Sequence, residues 1–324
     1  MGILKVLTKG FLVTLQDQGR QMCQHLGLAE AGAMDKHAYF WANKLLGNDP
    51  QAASLEILVG DCSFKFDSSA TIAITGADMD AKLNDTPIEN WATTKVNSGD
   101  TLSFGIMKSG LRAYLAISGG FEAPLFFNSR STMVREHTGG LNGNKLETGD
   151  ELRFQSSSNF VHRRVPARFI PDYNSELTLR FTPGYHFEEF DQESVKQCLA
   201  TSYSVTNDAD RMGYRLSGAK LRRDKGNILS IGVPCGAIQI PTAGEPIILL
   251  NDRQCTGGYP ILGVVAARDI YQLAQRKAGD SVCFKIAEVQ LLQKELTEFY
   301  QFFYRNKRFN NKDQRQDKMK FCSR

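Results

Sequence analysis

The chain has 324 residues, of which 42% are hydrophobic and 23% charged, a composition typical of globular proteins with sizeable cores. Its formal net charge is +4, from 39 Lys or Arg and 35 Asp or Glu. No apolar run is long enough to span a bilayer, and residues 1–9 lack the apolar stretch and cleavage site of a signal peptide. A soluble, cytoplasmic protein is therefore expected.

The positive charge is concentrated at the end of the chain. Residues 305–324 contain eight Lys or Arg and two Asp or Glu, so residues 1–304 carry a net charge of −2. Such a basic tail can bind nucleic acid or anionic surfaces, but a solvated end is more common. The body has no basic stripe with interleaved aromatic residues, so neither a nucleic acid nor a membrane is expected as a partner.

The cysteines and histidines do not indicate a metal site or a disulfide framework. The count of seven cysteines is odd, no Cys-x-x-Cys pair occurs, and the five histidines lack metal-ligand spacing. Reduced thiols are the expected state in a chain of this size. The cysteines are Cys23, Cys62, Cys198, Cys235, Cys255, Cys283 and Cys322.

The first predicted helix covers Lys36–Leu46. Asp35 can cap its first turn, Gly47 can end it, and apolar residues recur on one face. Strands are predicted after three Gly-Asp pairs, at residues 99–100, 149–150 and 279–280, because each pair precedes apolar residues two positions apart. This repeated pattern predicts a β-rich fold built from related pieces.

Three more helices are predicted in the second half of the chain. Asp191 can cap a helix over Gln192–Ala200, and Asp269 can cap one over Ile270–Arg276. A last helix, over about Ala287–Arg305, has an apolar stripe and is expected to pack on a barrel.

The sequence therefore predicts a mainly β chain with a few helices, arranged as two β-barrel domains. The segment between them contains Ser, Pro and Arg and has no periodicity, which is typical of a linker. The predicted divisions are domain 1–157, linker 158–175, domain 176–304 and basic tail 305–324.

Several Gly-rich, polar turns are the candidate functional motifs. Glycines let backbone N–H groups approach a ligand, arginines bind carboxylate or phosphate, and Gln or Thr can orient an amide. Together they suit an anionic or carbonyl-bearing substrate; the alternative is that each turn only shapes a loop. No phosphate loop, dinucleotide fingerprint or nucleophile elbow accompanies them. The turns are residues 14–20, 31–35, 128–132, 210–216, 236–241 and 251–260.

These turns, in order, carry a resemblance to a known family. The series QDQGR, AGAMD, ANKLLGN, SLEILVG, RAYLAISGG, SRST, DRMGYRL, GAIQIP, NDRQCTGGYP and DIYQLAQ resembles the biotin-dependent carboxyltransferase family, from about residue 4 to 290. That family includes the C subunit of bacterial 5-oxoprolinase, KipA-type proteins and the segment of urea carboxylase that is similar to allophanate hydrolase subunit 2. The resemblance implies cyclophilin-like β-barrel domains.

The sequence departs from the family pattern at three positions. Cys255 replaces a usual Thr, Asn128 replaces a common Gly, and Ala31 replaces a usual Ser. We expect these changes to affect substrate choice more than fold.

The resemblance implies the C subunit of an ATP-dependent 5-oxoprolinase, which opens 5-oxoproline to glutamate. The implied partners are the B subunit, or a KipI-type protein, and the A subunit, and the chain alone is expected to be inactive. ATP with Mg²⁺ is implied, bound by or shared with the partner. No covalently attached biotin is expected, because Lys318-Met319 does not match a biotin-carrying Met-Lys-Met.

Two other functions remain open at this point. The chain could be a carboxyltransferase component that moves carboxylate from carboxybiotin to urea or a similar amide. It could also be a KipA-type regulatory protein that antagonises an inhibitor of a sensor kinase.

The resemblance and the chemistry of the side chains together suggest roles within the turns. Arg20 and Arg211 are expected to bind an anion, and Asp17 and Asp252 to act as acid, base or metal-orienting carboxylates. Contact with a substrate amide, or cover over its pocket, is expected from Gln239, Thr256 and Tyr259. Further ligand contacts are expected from Arg130, Ser131, Gly257 and Gly258.

Overall fold

The computed structural model describes residues 1–226 and 228–304. Within them, strands outnumber helices by far, which confirms the mainly β prediction. The strands are β1 (Gly2–Lys9), β2 (Leu12–Gln16), β3 (Ser54–Leu58), β4 (Gly60–Phe66), β5 (Ala70–Asp78), β6 (Lys82–Leu83), β7 (Thr86–Pro87), β8 (Ala92–Val96), β9 (Thr101–Ile106), β10 (Ser109–Ile117), β11 (Phe121–Glu122), β12 (Glu151–Phe154), β13 (Leu177–Pro183), β14 (Ser202–Ala209), β15 (Gly213–Ser217), β16 (Ile231–Gly232), β17 (Ala237–Gln239), β18 (Ile247–Leu249), β19 (Thr256–Gly257), β20 (Ile261–Val265) and β21 (Ser281–Ile286). The helices are α1 (Lys36–Leu46), α2 (Gln192–Ala200), α3 (Ala267–Leu273) and α4 (Val289–Tyr304).

The first half of the chain forms two sheets that share one core. One has the strand order β11-β12-β1-β4-β9-β6-β7, and the other has the order β2-β3-β10-β5-β8. Phe64 and Leu102 from the first sheet are fully buried together with Leu55 and Ile72 from the second. The segment after β2 reaches the second half, where the N–H of Ala31 donates to the carbonyl of Asn251 at 3.2 Å. Residues 129–131 bind Asp17 at the start of that segment.

The second half closes into a seven-stranded barrel in the order β13-β20-β17-β18-β15-β14-β21. Its core includes the buried residues Leu179, Phe181, Ile248 and Val282. A small sheet of β16 and β19 lies beside the barrel and pairs Gly232 with Thr256.

The three Gly-Asp pairs form the same turn, and the strands predicted after them are present. Gly99, Gly149 and Gly279 all have φ between 90° and 97°, in the left-handed region that favours glycine. The Asp100 carboxylate accepts from the N–H of Asn97, three residues earlier, at 2.7 Å. Asp150 and Asp280 accept in the same way, from the residue three positions earlier, at 2.8 and 2.9 Å.

Two helices follow their predicted caps. The Asp35 carboxylate accepts from the N–H of Ala38 at 3.0 Å, and Gly47 ends α1 with φ 69°. The Asp191 carboxylate caps α2 through the N–H of Ser194 at 2.9 Å.

The predicted start of α3 was wrong. The helix begins at Ala267, and Asp269 lies in its first turn. The Asp269 carboxylate accepts from the Nε and Nη2 of Arg180 on β13, at 2.9 and 2.8 Å. An ion pair with a distant strand therefore uses the side chain that the sequence assigned to a cap.

The last helix packs chiefly on α1, whereas the sequence suggested a barrel. Phe303 stacks on Phe40 with ring centroids 5.2 Å apart, and Phe299 also contacts Phe40 and the ring of Tyr271 on α3. Helices from both halves thus share one aromatic cluster. Arg305 and the predicted basic tail lie outside the described residues.

The segment predicted as a linker packs along the first half. Val165 donates its N–H to the carbonyl of Trp91 at 2.8 Å, and Val165 and Tyr173 are buried. The domain divisions themselves remain a prediction. None of the helices in residues 1–226 and 228–304 has the length and apolarity needed to cross a bilayer.

Candidate functional site

The predicted site residues occupy two neighbouring places. Asp17, Arg20, Arg130 and Ser131 lie in the first half. Arg211 of the second half, paired with Asp252, reaches Glu56 and Gly32 of the first half, and this contact between the halves is called the seam. The other predicted residues lie on the barrel strand β17 and on the loop that leaves the seam after Asp252. They are Gln239, Thr256, Gly257, Gly258 and Tyr259.

Asp17 joins two of the predicted turns. Its carboxylate accepts from the hydroxyls of Ser129 and Ser131, both at 2.6 Å, and from the backbone N–H groups of Arg130 and Gly19, at 2.6 and 2.8 Å. Four protein donors saturate much of its accepting capacity. The geometry therefore favours a supporting role for Asp17, and for Ser131, over direct acid–base chemistry.

Two departures from the family pattern sit at left-handed backbone positions. Asn128 has φ 59° and Ala31 has φ 52°. Asn tolerates this region better than most residues, which explains how it can stand where Gly is common. Ala31 is buried and its N–H donates to the carbonyl of Asn251 at 3.2 Å, so the strained residue lies in the seam itself.

Arg20 is a buried guanidinium with unused donors. Its side chain is 1% exposed, lies over the ring of Phe126 at 5.2 Å, and donates through Nη2 to the carbonyl of Ser131 at 2.7 Å. Its Nε is buried without a hydrogen-bond partner among the described residues. Burial lowers the pKa of Arg20, and the charges of Asp17 and Asp252 oppose that shift. This unpaired donor makes Arg20 a better candidate than Arg211 for binding an anion or a polarised carbonyl.

In contrast, the guanidinium of Arg211 is hydrogen-bonded to several protein groups. Its Nε and Nη2 bind both oxygens of Asp252 at 2.8 and 3.0 Å, its Nη1 binds Glu56 at 2.5 Å, and its Nη2 also reaches the carbonyl of Gly32 at 2.8 Å. Burial alone would lower the pKa of Arg211, but the carboxylates of Asp252 and Glu56 hold it above its ordinary value. These four bonds use four of the five N–H donors of the guanidinium, so the geometry favours a structural role for Arg211, and its predicted contact with a ligand anion stays a prediction.

Asp252 is the partner of that arginine. Burial raises the pKa of its carboxyl, and Arg211 opposes the rise. A carboxylate held in a bidentate pair is poorly placed to take a proton from a substrate. Asp252 therefore holds Arg211 in place at the contact between the two halves.

Glu56 was missed by the sequence reasoning. This residue on β3 is 3% exposed and accepts from the Arg211 guanidinium, from the hydroxyl of Tyr114 at 2.7 Å and from the N–H of Met34 at 2.9 Å. It thereby joins both halves of the chain. A buried Glu in an otherwise apolar strand, Leu55-Glu56-Ile57, was the available signal.

The seam continues toward Cys255. Asn251 donates to the carbonyls of Gly32 and Ala33 at 3.2 and 3.0 Å, and Arg253 binds Glu30 at 3.2 Å. The Cys255 thiol lies 3.4 Å from the carbonyl of Leu28, and burial raises its pKa. The third departure from the family pattern is therefore a seam contact, held as a neutral thiol.

At the end of the barrel, Gln239 and Gly257 fit closely. Gln239 is 1% exposed and its Nε2 has no hydrogen-bond partner among the described residues. A Cβ placed on Gly257 would lie 2.5 Å from that nitrogen. Only glycine therefore fits here without displacing the Gln239 amide.

The remaining predicted residues face solvent or a cleft. Thr256 and Gly258 are exposed, and Tyr259 is 47% exposed. Gly258 and Tyr259 line a cleft together with the basic segment 220–226, which the sequence reasoning had not selected. In the part of the chain that the structure describes, no group of three or more His, Cys, Asp or Glu side chains could hold a metal ion.

Comparison with known proteins decides the family. Residues 26–286 match the family model described as carboxyltransferase domain, subdomain A and B. The chain belongs to this family. The barrel-end loop and most of the seam lie within the matched range, whereas Asp17 and Arg20 precede it.

Similar proteins include two curated bacterial proteins and a solved structure. The chain is 34% identical to the 5-oxoprolinase C subunit of Escherichia coli, over 87% of this chain and 90% of that protein. It is 32% identical to the Haemophilus influenzae protein of the same name, over 86% and 89%. The crystal structure of the Kluyveromyces lactis urea carboxylase has a TM-score of 0.88 at 27% identity, covering 95% of this chain and 29% of that one.

Proposed function

We propose that the chain is the C subunit of an ATP-dependent 5-oxoprolinase, which works with a B and an A subunit to open 5-oxoproline to glutamate. The observation that carries this proposal is the extent of the match. It covers 90% of the E. coli C subunit, but only 29% of the urea carboxylase chain.

The chemistry of the reaction suits the side chains at the seam. Water adds to the carbonyl carbon of the lactam and negative charge develops on the carbonyl oxygen. The ring C–N bond then breaks as the carbonyl re-forms, and the nitrogen takes a proton from the added water to become the amino group of glutamate. Donors fixed in advance at that oxygen stabilise the charge most effectively where water is excluded. Arg20 is buried with an unused Nε donor, so it is assigned this role.

Arg211, Asp252 and Glu56 serve the same site indirectly. Their buried ion pairs fix the two halves against each other, and the turn that contains Arg20 lies on that seam. The contacts of Asp17 with Ser129, Ser131 and Arg130 hold the adjoining loop. Rigid support of this kind positions a reacting group more exactly than a free loop would.

ATP with Mg²⁺ is part of the proposed reaction. We propose that the nucleotide is bound by or shared with a partner subunit, and no step of this chain is derived through it.

Carboxyl transfer to urea or a similar amide is the second candidate. The TM-score of 0.88 to the urea carboxylase structure favours it. This reaction also develops charge on an amide oxygen, so Arg20 would have the same task. The two candidates differ in substrate and in the groups that must accompany the chain.

Reconstitution with each substrate separates them. The chain would be combined with cognate A and B subunits, and glutamate release from 5-oxoproline with ATP would be measured. A parallel reaction would contain urea, bicarbonate, ATP, a biotin carboxylase and a biotinylated carrier. Turnover of 5-oxoproline alone supports the proposal, and turnover of urea alone replaces it with the second candidate.

A further inference from the structure

A cleft beside Tyr259 lies outside the seam and has no part in the roles assigned to Arg20 and Arg211. It has a volume of about 520 Å³ and lies between segments 220–226, 240–244 and 258–260, with Phe190 among its lining residues. Clefts of this size are typical of small-molecule sites. Since Gly258 and Tyr259 belong to the family motif, the cleft adjoins the predicted site.

One wall of the cleft is apolar and planar. It includes Ile240, Pro241, Tyr259 and Pro260. The Tyr259 ring is about half exposed, so a planar ligand group can lie against it.

The segment 220–226 forms a basic wall of the cleft, and its side chains differ in how many protein groups bind them. Arg223 is held by Glu189 and by the carbonyls of Lys225 and Gly226, so it shapes the wall. Lys225 also binds Glu189, at 3.0 Å. Arg222 pairs with Asp191 at 2.8 Å, but its side chain is 68% exposed.

Lys220 is the unengaged cation of the cleft. It is exposed and has no hydrogen bond or ion pair with the residues that the structure describes. Next to it, Leu221 donates to the carbonyl of Gly244, which fixes the turn 241–244 against this wall. Within that turn, the N–H groups of Thr242 and Ala243 donate to no acceptor among the described residues.

The net charge of the basic wall indicates how much negative charge its ligand carries. The four basic lining residues and Asp224 give the wall a charge of +3, and Glu189 and Asp191 behind it reduce this to +1. Such a wall suits a monoanion better than a polyphosphate. Unused N–H groups and an ammonium ion are the donors that a carboxylate prefers.

We propose that this cleft binds a small organic monoanion in which a carboxylate adjoins a planar amide. The carboxylate lies at Lys220, Arg222 and the turn 241–244, and the planar part lies against Tyr259 and Pro260. The identity of the probe, 5-oxoproline, rests on the proposed function. The cleft is a second binding site for it, separate from the reaction site assigned to Arg20.

The test is direct binding to the full chain, measured by isothermal titration without ATP or partner subunits. The ligands are 5-oxoproline, 2-pyrrolidinone, which has the same lactam ring without the carboxylate, and ATP. The variant is Lys220→Glu. Its control is Lys65→Glu, which reverses an exposed charge on β4, far along the chain from the cleft residues.

We expect 5-oxoproline to bind, and Lys220→Glu to weaken it by about tenfold while Lys65→Glu leaves it unchanged. The neutral lactam should bind at least about tenfold more weakly and should not respond to Lys220→Glu. Absence of 5-oxoproline binding, equal binding of the neutral lactam, or a preference for ATP at this cleft would each overturn the inference. If 5-oxoproline binding depends on Lys220 but the reconstituted complex shows no turnover, the cleft is a binding site and the proposed function is wrong. If the complex turns over 5-oxoproline but the chain shows no such binding, the proposed function stands and the cleft is not the binding site.

Discussion

Glu56 and Arg211, 155 positions apart in the sequence, form a buried ion pair whose Oε1 and Nη1 atoms lie 2.5 Å apart. The same guanidinium binds both oxygens of Asp252. Two carboxylates from different halves of the chain are thus neutralised by one arginine. Removal of that arginine would leave Asp252 buried without its bidentate partner, and would leave Glu56 only Arg112, whose Nε lies 3.8 Å from it.

Arg211→Ala is therefore expected to lower the free energy of unfolding by about 3–5 kcal/mol, the usual cost of breaking a buried ion pair. Urea denaturation of the purified chain measures it. The control is Arg215→Ala, on the same strand β15 but exposed, which should change stability by less than about 0.5 kcal/mol. A loss for Arg211→Ala as small as that of the control would contradict the ion-pair network of Glu56, Arg211 and Asp252.

Arg20 should behave in the opposite way, because its side chain makes a single hydrogen bond with the residues that the structure describes. Arg20→Met keeps much of the buried volume and should cost only about 1–2 kcal/mol of stability. In the reconstituted complex it should lower kcat by about 100-fold or more, the usual effect of losing a donor to a developing oxyanion. Arg153→Met, at an exposed position of β12, is the control. A folded Arg20→Met chain that supports at least half of the normal turnover would remove Arg20 from the site.

Gly257→Ala should displace the Gln239 amide, because its Cβ would lie 2.5 Å from Nε2. We expect it to cost about 1–3 kcal/mol in urea denaturation. Gly232→Ala is the matched control, since Gly232 lies on the partner strand and a Cβ there would meet nothing within 4 Å. Gln239→Ala removes the amide that the new Cβ would meet, so the double variant should lose less free energy of unfolding than the sum of the two single variants. Fully additive losses would show that the two side chains do not clash.

His37 should make stability depend on pH. Burial, aided by Arg268, lowers the pKa of its imidazole to about 3, and rings of Trp91 and Phe299 lie close to it. The unfolded chain takes up this proton near its ordinary value of 6.5, while the folded chain does not. The contribution of neutral His37 is therefore complete above about pH 6.5 and is lost as the pH falls toward about 3.

His37→Phe should remove that part of the pH dependence, because phenylalanine cannot bind the proton. Urea denaturation between about pH 7 and about pH 4.5 measures the difference between the wild-type chain and the variant. The pKa of the nearby Asp35 carboxyl, raised to about 6 chiefly by burial, contributes to both proteins and cancels in the comparison. His162→Phe, at an exposed histidine, is the control substitution. Equal slopes for the wild-type and His37→Phe proteins would show that His37 is protonated in the fold.

Local signals in the sequence were sufficient for much of the fold. Asp35 and Gly47 mark the two ends of α1, because a cap and a left-handed glycine act on neighbouring backbone. The three Gly-Asp turns are equally local. Asp269 does not cap α3, because its carboxylate pairs with Arg180, which is 89 positions away in the sequence.

The site was harder to predict for the same reason. The motifs selected the candidate loops, but a sequence does not show which donors remain unused after folding. Arg20 and Arg211 look alike as residues in polar turns, and only the positions of Glu56, Gly32 and Asp252 distinguish them. Lys220 was missed because its segment resembles an ordinary solvated basic run, and its relation to Tyr259 depends on how the barrel closes.

The most direct test of the proposed function is glutamate release from 5-oxoproline and ATP by the three-component mixture, with each component left out in turn. We expect release from the complete mixture and none above background when this chain is omitted. Unchanged release in its absence would contradict the proposed function, since the seam around Arg20 would then have no part in the reaction.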